Sequence, residues 1–131
     1  HQAILLAGAM ELLMQLSRRY KLAAATNGLT LVQRARLQKS GILPLLSGVF
    51  ISQEMGLQKP DKAYYSYIMD SFGDRAQERY LMIGDSLSAD ISGGVNAGID
   101  TCWYHPAGLE AAEPQPTYTV RGYEELLELL L

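Results

Sequence analysis

Short apolar strands alternating with helical patterns predict an α/β fold: three layers, with a parallel sheet covered by helices on both faces. Three observations carry this reading. The 131 residues are of single-domain size. The apolar runs are brief, and most are followed by helical spacing. Glycine and polar residues crowd the carboxyl ends of those runs, where open α/β sheets bind their ligands.

The elements follow in chain order. Residues 8–19 place Met10, Leu13, Met14 and Leu16 at helical spacing, and Arg18 and Arg19 suit a helix C-terminus. Lys21–Ala25 reads as a strand cut off by Thr26-Asn27-Gly28. Residues 30–39 predict a helix with Thr30 as N-cap, the face Leu31, Ala35 and Leu37, and Gly41 as terminator. Val49–Ser52 is a second strand, and Pro60 fits the first turn of a helix reaching Phe72. Tyr80–Ile83 is a third strand ending at Gly84-Asp85, followed by a helix from Ala89 to Ala97 that Gly98 stops. Thr101–Tyr104 and a weaker Tyr118–Val120 are further strands. Residues 106–116 read as a surface loop, and Tyr123–Leu131 as a helix docking through Tyr123, Leu126, Leu127 and Leu130.

Composition narrows the function. Hydrophobic residues are 48% and charged residues 19%, enough to fill a core. Lys and Arg number 11 against 14 Asp and Glu, for a net charge of −3. The basic excess of a protein that grips nucleic acid through its phosphates is missing. Apolar runs such as Ile4–Ala7 are too short to span a bilayer. One cysteine, Cys102, makes neither an internal disulfide nor a zinc cluster, and reads as a small buried hydrophobe. A reduced, cytoplasmic domain is the expectation. Tyr64, Tyr65 and Tyr67 read as packing residues rather than a base-stacking platform, and His105 as a solvated loop residue.

Three strand ends carry residues suited to phosphate chemistry. Thr26-Asn27-Gly28 offers a hydroxyl and backbone N–H groups at a strand-to-helix turn, a cradle for an anion. Taken alone, an ordinary Asn-Gly turn explains it better. Lys59, just before Pro60, can lean over the strand ends and neutralise a phosphoryl oxygen, although a single lysine is more often solvated. Asp85 leaves a strand and Asp90 falls in the next helix's first turn, so both carboxylates can converge on one magnesium ion. The plainer alternative is that they cap that helix and complement its dipole. Together, a cradle, a lysine and a carboxylate pair on successive strand ends bind magnesium and a phosphate ester.

These residues resemble a known set. Thr26-Asn27-Gly28, Lys59-Pro60 and Gly84-Asp85 through Asp90 are similar to motifs II, III and IV of the haloacid dehalogenase-like (HAD) phosphohydrolases, and the likeness continues through Gly93–Gly98 and Thr101–Tyr104. The wording is closest to the bacterial branch that dephosphorylates pyrimidine nucleoside monophosphates. The resemblance implies a Rossmann-like fold and a magnesium-dependent phosphomonoesterase. Thr26, the Asn27 backbone and Lys59 would hold the phosphoryl group, Lys59 and Asp85 would be catalytic, and Asp85 with Asp90 would serve the metal. The substrate would be a small phosphorylated metabolite, a nucleoside monophosphate, with neither nucleic acid nor membrane as partner.

In that family an aspartate attacks phosphorus and a second, two residues on, acts as acid and base. No Asp precedes Asp61 here, and no Asp-x-Asp occurs. The chain starts His1-Gln2-Ala3 without an initiator Met. The expectation is therefore that residues 1–131 are part of a longer enzyme's core domain, inactive alone, lacking the nucleophile, the cap and the sheet's central strand. The resulting open edges would have to be closed by another chain, in a strand-exchanged homodimer, or by the flanking strands pairing directly. A catalytically silent phosphate-binding or regulatory module is the competing reading. A phospho-acceptor receiver domain is excluded, because its acidic residues precede its Thr and Lys in the chain.

Overall fold

The structure, a computed structural model, describes residues 1–7, 14–104 and 113–131. Six strands form one parallel sheet: β1 (Ala3–Leu6), β2 (Lys21–Thr26), β3 (Gly48–Ile51), β4 (Tyr80–Gly84), β5 (Asp100–Tyr104) and β6 (Tyr118–Val120). Their order is β3-β2-β1-β4-β5-β6. The predicted fold class is therefore found.

One structural expectation is overturned. The centre of the sheet is not empty, because β1 occupies it, pairing Leu6 with Ala24 on one side and with Ile83 on the other. The flanking strands do not pair with each other, and no open edge at that place calls for a second chain. Ala-Ile-Leu-Leu is buried on both faces, so it lacks the alternation that marks a half-exposed strand. An unalternating apolar run of this length is ambiguous in sequence.

The helices are α1 (Met14–Arg19), α2 (Thr30–Ser40), α3 (Ser52–Met55), α4 (Lys62–Phe72), α5 (Ser92–Ala97) and α6 (Tyr123–Leu130). Side chains alternate across the sheet, so each strand feeds two cores. Ala3, Leu5, Ala23, Ala25 and Met82 face α4 and α5, meeting Tyr64, Tyr65, Ile68, Met69 and Ala97. Ile4, Leu6, Leu22, Leu81, Ile83 and Cys102 face α1 and α6, meeting Leu16, Leu126 and Leu130. Leu37 of α2 packs on Ala24 and Ile42 beside them.

Several boundaries move for identifiable reasons. Thr30 is the first residue of α2 rather than its cap, and its N–H is taken by Gln53 Oε1 at 2.7 Å. Of the face predicted for this helix only Leu37 is buried, while Leu31 is 85% exposed. Ser52 begins α3 instead of ending a strand, and Pro60 precedes α4, whose N-cap is Asp61. The helix predicted from Ala89 opens earlier, as a single π-helical turn over Leu87–Ile91 capped by Ser86, whose Oγ accepts from Ala89 N at 3.1 Å. Gly41 and Gly98 end their helices at φ +77° and +74°, as expected of glycine at that point. The first half of the helix predicted over 8–19, His105 and most of the predicted loop lie outside the described residues.

Cys102 is fully buried in β5, and desolvation pushes its thiol up to about 12. Because the thiolate is the nucleophile, the native chain should resist a thiol reagent at pH 8 and react only as fast as it unfolds. Rapid labelling without denaturant would contradict this placement.

Candidate active site

The carboxyl ends of β2 and β4 flank that of β1, and the sequence-predicted residues gather there. Lys59 is the pivot. It lies in the loop before α4, 6% exposed, with its stem buried and its ammonium turned inward. Nζ donates to Ala25 O of β2 at 2.8 Å and to Asp90 Oδ1 at 2.6 Å. An ammonium has three protons to donate, and among the described residues the third has no acceptor.

Asp90 is 2% exposed, on the π-helical turn that follows β4. Its second oxygen, Oδ2, accepts from Ser86 N at 3.2 Å, so both oxygens are engaged. A buried carboxylate needs this paired, hydrogen-bonded setting to remain charged in a dry interior. Sequence spacing directed Asp90 toward Asp85; in the structure its carboxylate instead meets Lys59.

Asp85 is the exposed member of the pair, at the mouth of β4. Among the described residues its carboxylate has no hydrogen-bonding or charged partner. Its backbone is held, since Trp103 Nε1 donates to Asp85 O at 3.0 Å. Gly84, one step back, is pressed against Asp90 so closely that a Cβ would stand 2.1 Å from Oδ2.

The Thr26-Asn27-Gly28 turn closes the other side. Thr26 is buried, and its hydroxyl donates to Asn27 O at 3.2 Å. The Gly28 N–H, one of the amides expected to face an anion, is taken by Ser52 Oγ at 2.8 Å. Asn27 does something spacing alone does not reveal. Its side chain bonds the backbone of Lys59 twice, Oδ1 accepting from Lys59 N at 2.9 Å and Nδ2 donating to Lys59 O at 3.0 Å.

Four further residues support the site. Ser52 and Gln53 tie α3 to the turn after β2, and Trp103 anchors Asp85. Tyr65, fully buried, directs its hydroxyl to the carbonyls of Ala89 and Asp90 at 3.4 and 3.5 Å. Desolvation, then the Asp90 charge, pushes the Tyr64 and Tyr65 phenols well above their usual range, keeping both neutral donors. Tyr64 spends its proton on Phe50 O at 2.6 Å. The tyrosines predicted as packing residues do pack, Tyr64 and Tyr65 in the core and Tyr67, half-exposed, against Phe50, and the two buried ones also use their hydroxyls.

Chemically, the site offers a buried ammonium with one proton unused among the described residues, an exposed carboxylate and a hydroxyl at one end of a parallel sheet. Magnesium asks for hard oxygen donors, commonly one or two carboxylates with water and substrate phosphate completing its shell. The exposed Asp85 carboxylate is a donor of that type, Asp90 has both oxygens occupied by Lys59 and Ser86, and among the described residues no group of three or more His, Cys, Asp or Glu could hold an ion. Of the two carboxylates, Asp85 alone supplies the free hard oxygen that such an ion takes from a protein.

Known proteins are similar to this chain in sequence and in fold. A sequence model of the haloacid dehalogenase-like hydrolases matches residues 1–98. The pyrimidine 5'-nucleotidase PynA of Streptococcus pneumoniae is 50% identical over 127 residues, covering 95% of this chain and 54% of that protein. The pyrimidine 5'-nucleotidase YjjG of Escherichia coli is 37% identical over 126 residues, covering 95% and 56%. The crystal structure of Bacillus subtilis YfnB bound to magnesium superposes with a TM-score of 0.84 at 40% identity, covering 89% of this chain and 52% of that one. The chain thus spans about half the length of the curated relatives it matches. The family match covers most of this chain, the relatives and the superposed fold agree with it, and the chain belongs to the haloacid dehalogenase-like hydrolases.

Proposed function

We propose that residues 1–131 are part of the core domain of a magnesium-dependent phosphomonoesterase acting on nucleoside 5'-monophosphates, with a pyrimidine base favoured. The observation that carries this reading is the buried Lys59 ammonium, which among the described residues keeps one unassigned proton at the strand ends where a phosphoryl oxygen would sit. Thr26, the Asn27 backbone and Lys59 bind the phosphoryl group, and Asp85 with Asp90 serves the metal. When bound, magnesium supplies charge neutralisation at the phosphoryl oxygens. Lys59 adds a second positive charge from the protein itself, already desolvated and aimed, so no reorganisation is needed as charge develops. The pyrimidine 5'-nucleotidases among the similar proteins support the substrate class.

The attacking aspartate, which would form an aspartyl-phosphate, lies outside these residues in this reading, and so does the cap that selects the substrate. Ala7 follows β1 at the point between the two flanking strand ends, its N–H bonded to Ile83 O at 3.0 Å, and it offers no nucleophile. The chain by itself should therefore bind inorganic phosphate with magnesium yet release none from uridine 5'-monophosphate. Calorimetry and a phosphate-release assay check the two halves, with Asp85→Asn expected to abolish the magnesium dependence of binding. Turnover that disappears in Asp85→Asn would place a nucleophile within these residues and overturn that part of the reading.

A further inference from the structure

We propose that Asn27 acts through its side chain as the positioning residue of Lys59. The inference rests on the phosphate-site reading only where phosphate affinity is the readout. The loop carrying Lys59 has no strand or helix of its own at residues 57–61, so nothing in regular secondary structure fixes the backbone from which this lysine springs. Four rotatable bonds separate that backbone from Nζ, and a small rotation at the root swings the ammonium away from its acceptors. A turn bond from Asp61 N to Gln58 O at 2.9 Å closes the loop on itself, and Asn27 supplies the constraint that ties it to the sheet. Its carboxamide closes a ring of two hydrogen bonds with Lys59 N and O, across 32 residues of sequence, as a neighbouring strand would.

Both ends of the lysine are thus tied to the end of β2. The root is held by the Asn27 side chain and the tip by Ala25 O, with Asp90 as counter-charge. Only a carboxamide provides an acceptor and a donor at the spacing of a peptide unit. Aspartate keeps the acceptor but sets an oxygen against the Lys59 carbonyl, and alanine keeps neither. A residue whose backbone was expected to face the phosphate therefore works chiefly by holding the group that does.

The test uses the isotope-labelled 131-residue chain. The Lys59 ammonium resonance, assigned by its disappearance in Lys59→Met, reports directly whether Nζ remains held. Inorganic phosphate with magnesium is titrated in parallel. Asn27→Ala should keep a dispersed backbone spectrum, lose the ammonium resonance to solvent exchange, and weaken phosphate binding about tenfold. Asn27→Asp should fall between, and it decides the matter if the alanine variant fails to fold. Retention of both the resonance and the affinity in a variant that merely melts earlier would overturn the proposal. If the unmodified chain takes up no phosphate, the function proposed above fails instead. The ammonium resonance still judges the clamp, its loss in the Asn27 variants supporting it and its persistence refuting it.

Discussion

Lys59→Met should destabilise the folded chain by about 3–5 kcal/mol, the penalty for leaving one member of a buried ion pair without its partner. The two side chains are 5% and 2% exposed and 2.6 Å apart, so water cannot replace the ammonium when it is removed. Asp90 would keep one hydrogen bond, from Ser86 N, on a carboxylate otherwise enclosed by protein. The exposed pair Arg34–Glu54, also 2.6 Å apart, makes a useful contrast, because its side chains are 49% and 30% exposed. Breaking that one should change stability by less than about 1 kcal/mol. The decisive comparison is the double variant Lys59→Met/Asp90→Asn. It removes both charges, while the asparagine oxygen still accepts from Ser86 N. It should be more stable than Lys59→Met alone by about 2 kcal/mol, since the uncompensated charge has gone. Urea denaturation of the parent, Lys59→Met, Asp90→Asn and the double variant, with unchanged m-values, measures the coupling. A Lys59→Met variant within 1 kcal/mol of the parent would mean that water reaches this pair and the site is wetter than its geometry implies.

How much of this was legible in the sequence depends on what each residue answers to. Strands β2, β4 and β5 were readable because an apolar run followed by glycine or a polar turn has few other meanings. Strand β1 was not, because its place is settled by partners on both sides and not by its own pattern. The candidate residues Thr26, Lys59 and Asp85 were picked out by type and order along the chain, and the structure brings them to one end of the sheet. Their partners were another matter. Spacing put Asp90 on the right turn but could not say that a π-helical turn would point its carboxylate at a lysine 31 residues away. The Asn27–Lys59 ring and the Trp103–Asp85 bond join segments brought together only by the sheet, and local pattern carries no trace of either. Leu31 failed in the opposite direction. Its helical spacing was correct, but α2 rests on the sheet through Leu37, which leaves its first turn in solvent.

The second large effect is expected at Gly84, where the Asp90 carboxylate sits in the space a side chain would need. A Cβ on Gly84 would lie 2.1 Å from Asp90 Oδ2, 2.4 Å from Cγ and 2.6 Å from Cβ. None of these atoms is the loose end of a mobile chain, because Oδ1 is fixed by Lys59 and Oδ2 by Ser86 N. Nor can the backbone retreat easily, since Gly84 ends a central strand in register with Trp103 of β5. Gly84→Ala must therefore expel the carboxylate or bend the strand, and about 3 kcal/mol of destabilisation is expected, at the upper end of overpacking. Gly122→Ala provides the control. Its φ of −170° is extended backbone, nothing lies within 4 Å of the added atom, and its effect should stay within about 0.5 kcal/mol. In an Asp90→Ala background the two nearest colliding atoms are gone, so Gly84→Ala should cost distinctly less there than in the parent. Phosphate uptake should fail in Gly84→Ala along with the Lys59 ammonium resonance, because the displaced carboxylate is the lysine's counter-charge. If Gly84→Ala proved as mild as Gly122→Ala, Asp90 would have room to move, and the close seat inferred for it at the strand end would be wrong.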